Sequence, residues 1–411
     1  MTDTLEILDG GCGTGKTTGI FEWMKYKRGN FLYVTPFVSE TKRAMLDLEG
    51  LDINVPIEDK NAKTTKTESL LELLMEKRNI ACTHSLFKKM TPLHMEAIKG
   101  YTIIIDEECD LIEPFSGDYN SQDLQFLIDK NCVKIDYDNL GRIEWISESE
   151  KHYYNDKYAH FRNMCNLGML YCSKSSRDCL TVHLPIELIS SSERVILISY
   201  RFKYSIMNHF VQMKGLKVIP FTEVKLTNFD KKILQEKIEV IRFKNEKHYT
   251  KPTILSTNWY QSVRQEELDD IAKIIYGICK NQKKIKSDVM WTVPSKYVIG
   301  VSSNAKKLTV PSYGAMSDDE NKLGCFVACS AKAVNEFSDK NMLVHAYNRY
   351  PNQILLIYLR DYGFKIDSNE FALSEMIQWV FRSRIRKGES IKICIISKRM
   401  RDLFVNWLNE I

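Results

Sequence analysis

The sequence predicts an α/β protein with two domains built on parallel sheets, the first of which carries a β-hairpin and helical insertion. Short apolar runs that suit buried strands alternate with amphipathic stretches of helical length along most of the chain. A glycine-rich loop of the phosphate-binding type follows the first apolar run. The chain has 411 residues, which is too long for one compact core and fits two domains of roughly 200 residues each. We place the domains at residues 1–228 and 229–411 and the insertion at about 115–190.

The first domain has the pattern of a doubly wound parallel sheet. Strands buried on both faces are rich in β-branched residues, as in the run Tyr101-Thr-Ile-Ile-Ile105. The insertion departs from this pattern, because residues 133–137 and 142–146 flank the turn Asp138-Asn-Leu-Gly141 as in a β-hairpin, and residues 149–165 suit a helix. In the rest of the domain, strands are predicted at residues 5–8, 31–34, 80–82, 101–105, 194–199 and 216–220, and helices at 17–25, 39–48, 68–77 and 204–213.

The second domain repeats the alternation of strands and helices without a phosphate loop of its own. Its predicted strands are residues 289–293, 325–329, 353–359 and 391–396, and its predicted helices are 265–279, 370–385 and 400–410. Trp291 and Trp379 fall within these elements and are expected in the core.

The glycine-rich loop carries the first chemical prediction. Residues 10–18 read Gly-Gly-Cys-Gly-Thr-Gly-Lys-Thr-Thr and match G-x-x-x-x-G-K-[ST] without a gap. Glycines let the backbone curl so that its N–H groups, with the positive end of the next helix, surround phosphate oxygens. Lys16 is expected to reach the β- and γ-phosphates, and the Thr17 hydroxyl to bind Mg²⁺. The predicted nucleotide-binding residues are Gly10, Gly11, Cys12, Gly13, Thr14, Gly15, Lys16, Thr17 and Thr18.

A pair of acids ends the apolar run at residues 101–105. In an open α/β sheet the ligand lies beyond the carboxyl ends of the strands, so Asp106 is placed to hold the metal. Glu107 beside it can polarise the attacking water. Together with the loop, this pair predicts a site that binds and hydrolyses a nucleoside triphosphate.

Composition limits the setting of the protein. The segment before the loop is short and acidic, unlike a signal peptide, and no apolar run approaches the roughly 20 residues of a membrane helix. We therefore expect a soluble, cytoplasmic protein.

The eleven cysteines of the chain include no C-x-x-C pair, which favours reduced, mostly buried thiols over zinc ligands or disulfides. Residues 231–411 carry a net charge of +10 and residues 1–230 one of −5, together the +5 of the chain. A basic second half fits a polyanion partner and equally a lysine-rich surface.

Three polar residues near the C-terminus follow a spacing of four. Gln378, Arg382 and Arg386 would share one face of a helix, from which arginines can reach a γ-phosphate across an interdomain cleft. An arginine beside the γ-phosphate neutralises negative charge in the transition state of hydrolysis. Closing the cleft would then couple hydrolysis to a motion between the domains. The alternative is a solvated basic face.

At this point the chain resembles the superfamily 2 helicases of the DEAD/DEAH-like group, and more closely the small bacteriophage helicases. Arg386 stands one residue later than the family's last arginine, so Arg384 and Arg386 remain alternatives for the second finger. The matching segments, in the family's order, are 10–17 (motif I), Thr35-Pro36 (Ia), Thr83-His84-Ser85 (Ib), 106–109 (II), Ser199-Tyr200-Arg201 (III), the region 326–337 (V) and 378–386 (VI).

The resemblance implies two RecA-like domains, ATP and Mg²⁺ as cofactors, and hydrolysis between the domains. It implies a single-stranded nucleic acid as partner, DNA rather than RNA as the first expectation, contacted by Thr35, Pro36, Thr83 and His84. A monomer suffices for such a motor, and replication or recombination proteins of a phage are the expected partners.

Two other classes of protein stay open on sequence grounds. A terminase-like DNA-packaging ATPase also joins a phosphate loop to a second domain, but that domain needs several carboxylates at strand ends. The acids of the second half fall mainly in loops such as Asp318-Asp-Glu320. A nucleotide-dependent regulatory switch is the other alternative, and it predicts no stimulation of hydrolysis by nucleic acid.

Overall fold

The computed structural model describes residues 2–59, 63–117, 119–147, 158–227, 230–298, 306–315, 324–330 and 336–410. The chain forms two compact units: Met1–Asp9, Lys16–Lys225 and Pro351–Asp367 make the first, and Gly10–Gly15, Leu226–Tyr350 and Ser368–Ile411 make the second. The mixed α/β class with parallel sheets is confirmed.

The elements are numbered in chain order. The strands are β1 (Thr4–Asp9), β2 (Asn30–Thr35), β3 (Ile53–Asn54), β4 (Asn79–Thr83), β5 (Tyr101–Asp106), β6 (Ile112–Pro114), β7 (Val133–Asp136), β8 (Arg142–Trp145), β9 (Leu170–Cys172), β10 (Leu180–His183), β11 (Arg194–Ser199), β12 (Lys217–Pro220), β13 (Ile238–Ile241), β14 (Val289–Thr292), β15 (Met342–His345) and β16 (Ile391–Ile395). The α-helices are α1 (Lys16–Tyr26), α2 (Val38–Asp47), α3 (Lys66–Met75), α4 (His84–Phe87), α5 (Pro92–Ala97), α6 (Ser121–Asp129), α7 (Ala159–Asn166), α8 (Glu187–Ser190), α9 (Ile206–Met213), α10 (Lys231–Lys237), α11 (Thr257–Ser262), α12 (Gln265–Asn281), α13 (Gln353–Asp361), α14 (Ser368–Val380) and α15 (Lys398–Asn409).

The first unit contains a seven-stranded parallel sheet in the order β12-β1-β11-β5-β2-β4-β3. Its central strands are almost wholly buried, as their β-branched sequences predict. The register aligns Asp9 with Ser199, and Ile198 with Asp106. It also aligns Thr35 with Thr83. The polar residues that end these strands therefore meet at the carboxyl edge of one sheet.

The insertion is larger than the predicted hairpin and helix. It is a five-stranded antiparallel sheet in the order β6-β10-β9-β8-β7, and the predicted hairpin is its β7–β8 pair. Gly141 closes the hairpin turn with φ +73°, and a Cβ atom there would lie 2.1 Å from the carbonyl oxygen of Cys172. The predicted helix 149–165 corresponds in part to α7, and its residues 149–157 lie outside the described residues.

The predicted strand at 353–359 is wrong, because these residues form helix α13 in the first unit. Asn352 caps the helix by accepting a hydrogen bond from the Ile354 N–H at 2.9 Å. Leu355, Tyr358 and Leu359 are the buried residues, and their spacing of three and four is helical. A short, continuously apolar run does not separate a strand from a helix, and the cap was the distinguishing signal.

The second unit contains a four-stranded parallel sheet in the order β13-β16-β15-β14. Trp291 and Trp379 are fully buried, as predicted. The predicted strand 325–329 is wrong as an extended strand: it is reduced to a single bridge between Phe326 and Trp291.

The structure also shows the state of the cysteines and the length and polarity of the helices. All eleven cysteines are free thiols, and all except the half-buried Cys12 are buried. Within the described parts of the chain, every helix is too short or too polar to cross a membrane.

Candidate nucleotide site

The glycine-rich loop links β1 to α1 and adopts the conformations that its glycines allow. Gly13 and Gly15 have φ values of +83° and +80°, which residues with a Cβ atom rarely adopt. The Thr14 hydroxyl donates a hydrogen bond to the Gly11 carbonyl at 2.8 Å and tightens the turn. Helix α1 begins at Lys16, so the N–H groups of its first turn have no partner within the helix. Such a helix start favours a phosphate group.

Asp106 ends β5 and is 6% exposed. The Tyr33 hydroxyl donates a hydrogen bond to its Oδ2 at 2.6 Å. His84 Nε2 lies 3.0 Å from the Asp106 main-chain oxygen, and since a carbonyl only accepts, this nitrogen must carry a proton. Burial raises the pKa of the Asp106 carboxyl to about 6, while the hydrogen bond from Tyr33 lowers it. A cation bound beside this carboxylate would offset the unfavourable burial of its charge.

The acids after Asp106 turn sharply out of the strand. Glu107 has φ +62°, a left-handed conformation, and its N–H donates to the Ile198 carbonyl at 3.0 Å. Glu108 accepts a hydrogen bond from the Ser199 hydroxyl at 2.8 Å. The last residue of β11, where the next loop begins, is thus tied to the segment that follows β5.

The same loop is tied to β1. The carboxylate of Asp9 accepts hydrogen bonds from the main-chain N–H groups of Arg201 at 2.8 Å and Phe202 at 3.1 Å. Arg201 has φ +58°, and Lys16 Nζ lies 6.0 Å from the centre of the Tyr200 ring. Sequence reasoning missed Asp9, Tyr33 and the hydroxyl of Ser199 as parts of this edge. The sequence signal that could have identified them is their position at or near the ends of predicted strands.

The predicted nucleic-acid residues lie at or beside the same edge of the sheet. Thr35 ends β2 and is buried, and its Oγ1 has no hydrogen-bond partner among the described residues. Pro36 follows it and is half-buried. The Thr83 hydroxyl caps α4 by accepting from the Leu86 N–H at 3.3 Å. His84, as described, contacts the backbone of Asp106, so the structure gives it a role inside the first unit.

The predicted helix 370–385 is wrong at its C-terminal end, because α14 ends at Val380. Ser383 is extended and fully buried, and its hydroxyl donates to the Val380 carbonyl at 2.7 Å. Residues Arg384–Lys387 then form a separate 3₁₀ turn. Gln378 therefore lies on α14 while Arg382 and Arg386 follow its end, and the three do not share one helix face. Arg382 is 6% exposed, whereas Arg386 is exposed and Arg384 pairs with Glu389.

These features define an α/β protein with parallel sheets, in which a glycine-rich loop of the phosphate-binding pattern joins β1 to α1, and comparisons with known proteins agree with this fold. Residues 232–408 match the family model for the YonV C-terminal Rossmann-like domain, and residues 116–177 match that for the YonV middle domain. The SPbeta prophage-derived protein YonV of Bacillus subtilis strain 168 is 28% identical over 434 residues, covering 99% of both chains.

Among solved structures, XPD in its apo form aligns with a TM-score of 0.53 and 16% identity, covering 99% of this chain and 95% of that chain. XPD is a superfamily 2, DEAH-like helicase. The resemblance to superfamily 2 helicases is thereby confirmed at the level of the fold, and the relative's prophage origin agrees with the resemblance to bacteriophage proteins.

Proposed function

We propose that the chain is an ATP-dependent nucleic-acid helicase or translocase that moves on single-stranded nucleic acid, DNA in the first instance, during phage replication or recombination. One observation carries the proposal. The register of three adjacent parallel strands brings Asp9, Ser199 and Asp106 to one sheet edge, and the phosphate loop follows Asp9 directly. Ligands of open α/β sheets bind at such an edge.

Each residue has a defined task in this proposal. The loop from Gly10 to Thr18 encloses the phosphates, with Lys16 neutralising charge on the β- and γ-phosphates. When bound, Mg²⁺ supplies a Lewis acid for the transferring phosphoryl group, and the oxygens of Thr17 and Asp106 are the hard ligands it prefers. Glu107 orients the attacking water and accepts its proton.

The resemblance to helicases supplies the remaining assignments of this proposal. We assign Gln378, Arg382 and Arg386 to the γ-phosphate, as the resemblance implies, with Arg384 as the alternative to Arg386. We assign Thr35, Pro36, Thr83 and His84 to the path of the nucleic acid. The proposal also includes a domain boundary near residue 228, a monomeric state and a cytoplasmic location.

A packaging ATPase with a nuclease domain is less well supported. The four strands of the second unit's sheet end in Ile241, Thr292, His345 and Ile395, none of which is a carboxylate. Metal-dependent nucleases need several carboxylates around their metals.

The experiment measures phosphate release from ATP and Mg²⁺ with no nucleic acid, with single-stranded DNA and with single-stranded RNA. Lys16→Ala is the inactive variant. Lys25→Ala, on the same helix and paired with Glu22 on its exposed side, is the matched control. We expect strong stimulation by one of the two strands in the wild type and in Lys25→Ala, and none in Lys16→Ala. Hydrolysis without stimulation would favour the switch, and a complete lack of hydrolysis would overturn the proposal.

A further inference from the structure

The side chain of Tyr33 crosses from one strand to the next to reach Asp106. Strands β2 and β5 are parallel neighbours, and their register pairs Tyr33 with Ile104. Side chains two residues apart in a strand point to the same face, so Ile104, Asp106 and Tyr33 share a face of the sheet. The ring of Tyr33 spans the two-residue offset, and its hydroxyl meets Oδ2 of Asp106 at 2.6 Å.

The surroundings of Tyr33 leave it little freedom. The residue is fully buried, and the Phe21 ring of α1 packs edge-on against its ring with centroids 5.2 Å apart. Helix α1 is the helix that begins with Lys16, so the tyrosine contacts both the strand of Asp106 and the helix of the phosphate loop. The guanidinium of Arg43 lies 5.9 Å from the centre of the same Phe21 ring, and it pairs with the buried carboxylate of Glu40 at 2.8 Å.

Asp106 is therefore held at two points. His84 Nε2–H bonds to its main-chain oxygen at 3.0 Å and fixes the backbone, and the Tyr33 hydroxyl bonds to one carboxylate oxygen and fixes the side chain. A hydrogen bond to one oxygen of a ligating carboxylate leaves the other oxygen for a metal and sets the plane of the group.

We propose that Tyr33 is a positioning residue that presents the Asp106 carboxylate to the divalent cation of the nucleotide. This inference rests on the proposed function only in that Asp106 binds the cation. Groups that orient a metal ligand typically contribute 10- to 100-fold to metal affinity, and we expect about that range for the loss of one buried hydroxyl.

The test compares Tyr33→Phe with Tyr101→Phe. Tyr101 starts the same strand that Asp106 ends, is equally buried, and donates its hydroxyl to the Arg78 carbonyl at 2.9 Å. Both variants lose one buried hydroxyl in the same sheet, but only Tyr33 touches Asp106. Binding of Mn²⁺ is titrated by electron paramagnetic resonance in the presence of a non-hydrolysable ATP analogue, and thermal unfolding of each variant is recorded in parallel.

We expect the Mn²⁺ dissociation constant to rise about 10-fold or more in Tyr33→Phe and less than about twofold in Tyr101→Phe. In the Asp106→Asn background, where the carboxylate is gone, Tyr33→Phe should add no further weakening. Equal constants for Tyr33→Phe and the wild type, or equal weakening in both Phe variants, would overturn the inference. Because the measurement needs no turnover, a wild type that binds Mn²⁺ with the nucleotide but does not hydrolyse ATP would refute the proposed function and still decide the role of Tyr33.

Discussion

The carboxyl edges of the two parallel sheets differ in how their polar side chains are satisfied. In the first unit, Asp9, Ser199 and Asp106 each make hydrogen bonds at that edge, although the Oγ1 of Thr35 has no hydrogen-bond partner among the described residues. In the second unit, Thr292 and His345 are paired in register at the ends of β14 and β15 and are both fully buried. Thr292 Oγ1 and His345 Nδ1 have no hydrogen-bond partner among the described residues.

Under the proposed function, the first edge is organised for a ligand and the second for packing. Hydrogen bonds that hold a polar side chain in one orientation provide the fixed geometry that metal and phosphate chemistry requires. In the second unit, the ring of His345 packs edge-on against Trp379 with centroids 5.2 Å apart, and burial lowers the pKa of the imidazole to about 3. Its neutral ring behaves as a core residue.

Asp106→Asn should have the largest effect, and it tests whether the first edge is the catalytic one. Loss of the carboxylate removes a negatively charged metal ligand, and we expect ATP hydrolysis to fall roughly 10³-fold, the equivalent of several kcal/mol. Steady-state phosphate release at saturating ATP and Mg²⁺ measures the effect. His345→Gln in the second unit serves as the comparison. Full activity of Asp106→Asn would contradict the assignment of the edge.

The same substitution should stabilise the protein without ligands. The pKa of Asp106 is raised to about 6 from 3.8, so the folded chain holds this proton more tightly than the unfolded chain. Its ionisation therefore destabilises the fold as pH rises from about 4 to about 6, and the loss of stability stays constant above that range. At pH 8, Asp106→Asn should gain up to about 3 kcal/mol in the free energy of unfolding, and near pH 4 little. Denaturant unfolding of both proteins at the two pH values measures this gain, and the absence of a pH-dependent difference would refute it.

His345 should show the opposite trend. Because burial lowers the imidazole pKa to about 3 in the folded chain, protonation favours the unfolded chain, and stability is lost as pH falls below about 6.5. Between pH 7 and pH 5 the wild type should lose about 2 kcal/mol through this residue, and His345→Gln should not show that part of the loss. The difference between the two unfolding curves isolates the residue. Parallel curves would mean that His345 is not buried in its neutral form.

The sequence predicted the first sheet better than the second, and the reason is physical. Runs such as 101–105 carry β-branched residues on both faces and are followed by a charged residue, a combination that suits a central parallel strand and little else. The run 353–359 is equally apolar, but its buried leucines and tyrosine have helical spacing, and Asn352 caps its start. Short apolar runs do not by themselves report the partner against which they pack.

Prediction of the site was limited in the same way, because the sequence shows local patterns but not contacts between distant residues. Phosphate-loop residues are recognisable because the pattern is local, with fixed spacing along the chain. The contact between Tyr33 and Asp106 joins residues 73 positions apart, and it depends on a register that sequence spacing does not contain. Beyond the end of α14 at Val380 the chain also makes a contact that is distant in sequence, since the Arg384 N–H donates to the Lys340 carbonyl at 3.0 Å.

Two threonines provide the smallest and most direct test of the contrast between the edges. Replacing Thr292 by Val exchanges a buried hydroxyl that lacks a partner among the described residues for a methyl group of similar size. The free energy of unfolding should therefore rise by about 1 kcal/mol. Replacing Thr83 by Val removes the oxygen that caps α4, so stability should fall by about 1 kcal/mol. Chemical denaturation of the two variants beside the wild type gives both signs in one experiment. If Thr292→Val is destabilising, its hydroxyl has a bonding partner in the folded protein, and the second edge would have to be regarded as a polar site in its own right.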